Sequence, residues 1–244
     1  MFQGIQPVLV RHPWIPYVLP MFVYLLAGSL LGGDQADEPA TFLAWTYPTR
    51  YTIQLALTVA AAVVAIPVLK RLWNGITVWG VVFGVVGVVL WVGLCEMNLE
   101  ERFLVPIGLD RILPIGPRPS YNPLQALAES PATMITFVAI RFLGLALVIP
   151  VIEELFLRGF LLRAIDNPDF EGEPFGAATW KVWAVAAAYG VISHPETFAA
   201  IAWFSFITLL MVWTKRFWDC VLAHAVTNAL LGAYVLKTGS WHLW

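Results

Sequence analysis

From Thr133 to Ile152 the chain runs through 20 residues with a single charged side chain, Arg141, and two adjacent glutamates close the run. A helix of about 20 mostly apolar residues is what crosses a bilayer. Six more runs have this character: Trp14–Leu31, Tyr51–Leu69, Gly75–Cys95, Trp180–His194, Ala199–Trp213 and Trp218–Leu236. Charged residues make up 12% of the chain and hydrophobic residues 59%, whereas soluble domains carry about 25% charge to cover their surface. The expected fold is therefore all-α, a polytopic transmembrane helical bundle of about seven spans, within a range of six to eight. The short runs beginning at Trp180 and Ala199 either pair as a hairpin or include a broken, re-entrant span.

The net charge of −2 offers no basic field for nucleic acid. Cys95 and Cys220 lie in or beside apolar runs and are expected to act as small hydrophobes, not as a disulfide or zinc ribbon. Among the 12 tryptophans, Trp14, Trp45, Trp73, Trp180, Trp213, Trp218, Trp241 and Trp244 sit at the ends of runs, where amphipathic rings favour the headgroup level. The N-terminal run lacks a small-residue cleavage site and reads as a first span, not a removed signal peptide. With the N-terminus cytoplasmic, Arg11, Lys70, Arg71, Arg158, Arg163, Lys181, Lys215 and Arg216 fall on the inner side, as the positive-inside bias favours. Asp34, Asp37 and Glu38 then occupy an outer loop. The connection Glu96–Ala132, rich in proline, reads as an outer spacer with an interfacial apolar segment.

Chemistry concentrates after that connection. Ionisable groups at membrane depth are costly and usually face a protein interior or a wet cavity. Glu154 and Arg158 are four residues apart and share a helix face, where they form a charge-assisted pair. Glu153 points about 100° away and is left for chemistry, and a carboxylate in an apolar setting suits general base and acid work. Pro150, just ahead, loosens the helix. Taken alone, the glutamates read equally well as the solvated end of a span. His194 at a helix end, and His224 and Asn228 four residues apart on the last run, tip the balance. Their alternative role is hydrogen bonding between helices.

The pattern Glu153-Glu154-xxx-Arg158, then His194, then His224-xxx-Asn228 resembles the CPBP family of intramembrane proteases. That family includes CAAX prenyl endoproteases of the Ras-converting type and bacterial relatives linked to bacteriocin immunity. The stretch Asp219–Asn228 resembles the bacterial exosortase-associated branch in particular, and the likeness covers roughly Ile135–Leu236. It implies an endopeptidase acting on membrane-associated or lipidated protein substrates. Glu153 and His194 would activate water, His224 and Asn228 would stabilise the oxyanion, and Glu154 and Arg158 would support the helix. It also implies a multi-pass protein of the plasma membrane, the inner membrane in a bacterium. The family's aromatic four residues before the histidine is Gly190 here; Tyr189, one position earlier, falls on another part of the helix face.

No cofactor is favoured. Glu153, His194 and His224 would be the ligands if zinc were present, but the chain has no His-Glu-xx-His helix. The chain divides into residues 1–132, with the N-terminal spans and outer loop, and residues 133–244, the catalytic core of one membrane domain. Two other classes compete with the protease. One is a non-catalytic scaffold or immunity protein that retains the motif. The other is a proton-relaying transporter, which calls for matching interrupted helices in two halves; none is visible.

Overall fold

The computed structural model describes residues 6–32, 46–113, 115 and 120–243, and these form helices and turns with no strand among them. The acidic trio Asp34, Asp37 and Glu38 lies outside the described residues, as do Trp45, Pro114, Pro117, Arg118, Pro119 and Trp244. Each expected run forms a helix: α1 Ile15–Leu31, α2 Tyr47–Arg71, α3 Val78–Glu96, α4 Pro131–Ala164, α5 Trp180–Ser193, α6 Thr197–Thr214 and α7 Phe217–Thr238. Among the described residues, α2, α3, α4, α6 and α7 are long and apolar enough to cross a membrane; α1 and α5 are shorter. The protein is an integral membrane, all-α helical bundle. Trp73, Trp180 and Trp213 stand exposed at helix ends, and Cys95 and Cys220 are not joined.

Helix α4 differs from the sequence expectation. It does not stop at Ile152 but runs on to Ala164, 34 residues in all from Pro131. The paired glutamates are thus inside a continuous helix and both are buried, so they are not the solvated end of a span. Two widened, π-helical turns, Gly144–Val148 and Leu155–Leu161, flank them. Such turns occur where the regular ladder is interrupted.

The close packing of α3 on α7 sets the height of the last helix. Gly80, Gly84 and Gly87 recur at helical spacing and lie against α7 or its neighbours. A Cβ at Gly84 would come within 2.6 Å of Val226 Cβ and 2.8 Å of the Ala223 carbonyl, so only glycine admits this approach. Small residues serve the same purpose wherever lipid removes the hydrophobic drive for helix association. The Thr227 hydroxyl donates to the Gly84 carbonyl at 3.0 Å. At the other end of the pair, buried Asp219 accepts from the Thr77 backbone N–H at 2.6 Å and its hydroxyl at 2.8 Å. Together these contacts fix both rotation and depth of α7.

The two short runs do pair as a hairpin, α5 against α6. Pro195 favours extended backbone in the residue before it, and His194 has φ −136° and ψ 133°, ending α5. The Glu96–Ala132 connection is tied to this corner: Glu100 Oε1 accepts from the Phe198 backbone N–H at 2.9 Å, satisfying one of the orphan donors at the start of α6.

Candidate active site

Three helices, α4, α5 and α7, and the turn after α5 bring Glu153, Tyr189, His194, His224 and Asn228 to a single cavity of about 430 Å³, with Arg141 also on its wall. Every catalytic residue expected from the sequence reaches it. What positions each one differs.

Glu154 is fully buried and held twice. Arg158 Nη1 donates to its Oε2 at 2.5 Å, across one helical turn. On the other oxygen, Oε1, it meets His224 Nδ1 at 3.0 Å. Arg158, also fully buried, sends Nη2 to the Phe204 carbonyl on α6 at 3.1 Å. One carboxylate thus joins α4 to α7, and its guanidinium partner joins α4 to α6. The supporting role expected of this pair is therefore wider than holding its own helix, because Glu154 also orients a histidine on another helix. With Nδ1 turned to Glu154, the ring presents Nε2 to Glu153, whose Oε2 lies 3.8 Å away. Trp203 closes the ring's flank edge-on at 4.6 Å and anchors its indole N–H on Thr227 at 3.3 Å.

Asn228 finds its partner through a defect in α4. The Ile149 N–H reaches back to the Gly144 carbonyl in the widened turn, and Pro150 has no N–H to offer. The Leu145 carbonyl is therefore left without a helical donor, and Asn228 Nδ2 donates to it at 2.9 Å. A carboxamide nitrogen carries two hydrogens, so one remains for a group inside the cavity.

His194 sits at the corner after α5. Its Nδ1 lies 2.8 Å from the Ser193 hydroxyl, and its ring packs against Trp91 at 5.2 Å and Phe204 at 5.5 Å. This packing accounts for the departure at Gly190. A Cβ there would fall 2.9 Å from the Phe204 ring and 3.1 Å from the Ala200 carbonyl, so no aromatic fits at that position. The aromatic side chain in the cavity wall is Tyr189, which the sequence had placed on another part of the helix face. Its ring meets Phe156 at 6.1 Å and Phe204 at 5.2 Å. The rotation is a consequence of close α5–α6 packing at Gly190, and local spacing alone could not reveal it.

No group of three His, Cys, Asp or Glu side chains among the described residues converges into an arrangement that could hold a metal ion. Glu153, His194 and His224 share the cavity without converging as a ligand set.

No curated protein and no solved structure matches the chain. Residues 135–230, which contain all six motif residues, match the family model described as Type II CAAX prenyl endopeptidase Rce1-like, and over that region the chain is similar to this family.

Proposed function

We propose that the protein is an intramembrane endopeptidase of the glutamate type, hydrolysing peptide bonds in membrane-associated or lipidated protein substrates. The observation that carries this reading is the setting of His224: Glu154 holds Nδ1, and the Glu153 carboxylate faces Nε2 beside a cavity. A packing role for the motif explains Glu154 and Arg158. It does not explain a second buried carboxylate on the cavity wall, facing an imidazole that Glu154 already holds.

In this mechanism Glu153, with His194, takes a proton from a water whose oxygen attacks the scissile carbonyl carbon. The new C–O bond forms as the carbonyl π pair moves onto oxygen. That oxyanion accepts from the remaining Asn228 N–H and from His224 Nε2–H, the donor arrangement expected of acyl-transfer sites. Because Nδ1 is engaged by Glu154, His224 donates through Nε2 only as an imidazolium. Collapse breaks the C–N bond, and the proton on Glu153 passes to the leaving amine. The cavity supplies space for water, which hydrolysis inside a membrane requires. The positive-inside charge pattern supports a cytoplasmic N-terminus.

The test is cleavage of a fluorogenic, membrane-anchored peptide by the purified protein. Glu153→Gln and His224→Ala are expected to lose at least about 100-fold in kcat. Full activity in both variants, or none in the wild type on prenylated and unmodified anchored peptides alike, would falsify the protease reading in favour of a scaffold.

A further inference from the structure

Tyr189 is half-buried, and the mechanism of hydrolysis does not use its hydroxyl. Its ring packs between Phe156 and Phe204, a place that phenylalanine would fill equally well. Its hydroxyl oxygen is buried and makes no hydrogen bond. Buried hydroxyls are nearly always satisfied, so one that is not calls for an explanation other than packing. Of the two glutamates near this hydroxyl, Glu153 is the one that lines the same cavity wall and acts on it most strongly, ahead of Glu154.

Glu153 has the complementary deficit. Glu154, its neighbour, is fixed by Arg158 and by His224. The contact of Glu153 with His224 Nε2 is 3.8 Å long, too distant for a hydrogen bond. A carboxylate that must present one oxygen to a water needs its other oxygen held, because rotation about its terminal torsion is broad and nearly free. A donor without an acceptor thus stands beside an acceptor without a donor, on two helices that share one cavity wall.

We propose that Tyr189 is the positioning residue of Glu153: its hydroxyl donates to one carboxylate oxygen and leaves the other facing the water. No proton is transferred at Tyr189. This assignment rests on the protease reading for its effect on rate, but the contact itself is independent of it. The rotation of α5 set by Gly190 is what delivers the hydroxyl, so the chain's departure from the family pattern has a use in this site.

The variant Tyr189→Phe removes one oxygen and keeps the ring. Two measurements decide the matter. The first is steady-state cleavage of the anchored peptide, with kcat and KM resolved. The second is an infrared difference spectrum in which the Glu153 carboxyl band is identified by its loss in Glu153→Gln. The expected result is a shifted Glu153 band and a kcat lowered about 10- to 100-fold, with KM within about twofold and an unchanged melting temperature. An unmoved band overturns the contact, and an unmoved kcat with an active, Glu153-dependent wild type overturns the positioning role. If Glu153→Gln itself kept full activity, the protease reading would fall while the infrared result still judged the contact.

Discussion

Asn228, on the last helix, donates to the Leu145 carbonyl that Pro150 and the widened turn before it leave without a backbone donor. A proline 78 positions away in sequence therefore decides where a carboxamide of the site points. Replacing Pro150 with alanine restores an N–H and lets α4 regularise. The expected outcome is a protein as stable as the wild type, or more so, whose kcat falls at least about 10-fold as Asn228 loses its anchor. Peptide cleavage together with a thermal unfolding scan checks both halves.

The buried pair Glu154–Arg158 predicts a large stability effect. Arg158→Ala leaves a fully buried carboxylate with His224 as its remaining partner, and a severed buried pair typically costs about 3–5 kcal/mol. Arg158→Lys is expected to rescue little, because one ammonium cannot reach both Glu154 and the Phe204 carbonyl in the forked geometry observed. Unfolding in detergent by a graded denaturant measures the difference.

Glycines on α3 offer a paired comparison. Gly84→Val puts a side chain into Val226 and the Ala223 carbonyl, so α7 must move and carry His224 with it. Both activity and thermal stability are expected to drop sharply. Gly93→Ala on the same helix meets nothing within 4 Å and should be neutral or gain up to about 1 kcal/mol from helix propensity. Equal effects at the two positions would contradict the packing described for α3 and α7.

Asp219→Ala strips the acceptor from the Thr77 N–H and hydroxyl. A loss of about 1–3 kcal/mol is expected, with kcat affected less than stability, since Asp219 lies outside the cavity wall. Asp219→Asn, which keeps one acceptor oxygen, should recover part of the loss in the same melting experiment.

Metal dependence is checked by elemental analysis of active protein and by activity after chelation. The expected result is substoichiometric zinc and chelator-resistant cleavage. About one zinc per chain with chelator-sensitive turnover would replace the glutamate mechanism with a metalloprotease one.

Much of the site was legible in the sequence because its information is local. Glu154 and Arg158 lie one helical turn apart, as do His224 and Asn228, and such spacing survives any tertiary arrangement. Apolar length alone fixed the class of fold. What stayed hidden depends on contacts between helices. The tie from Asp219 to Thr77 spans 142 positions. The second partner of Glu154 lies 70 positions away. Tyr189 enters the cavity beside the close α5–α6 contact at Gly190, and α4 continues through its glutamates with Glu154 and Arg158 fully buried as a pair.

The joint between Glu154, Arg158, His224 and Glu153 has an electrical consequence. When both carboxylates are ionised and the imidazole is protonated, two negative and two positive groups sum to zero within a few ångströms. A proton moving from His224 to Glu153 then neutralises two members and leaves the sum unchanged. The interior of the bundle can shift a proton toward or away from the reacting water without ever exposing the surrounding lipid to an uncompensated ion.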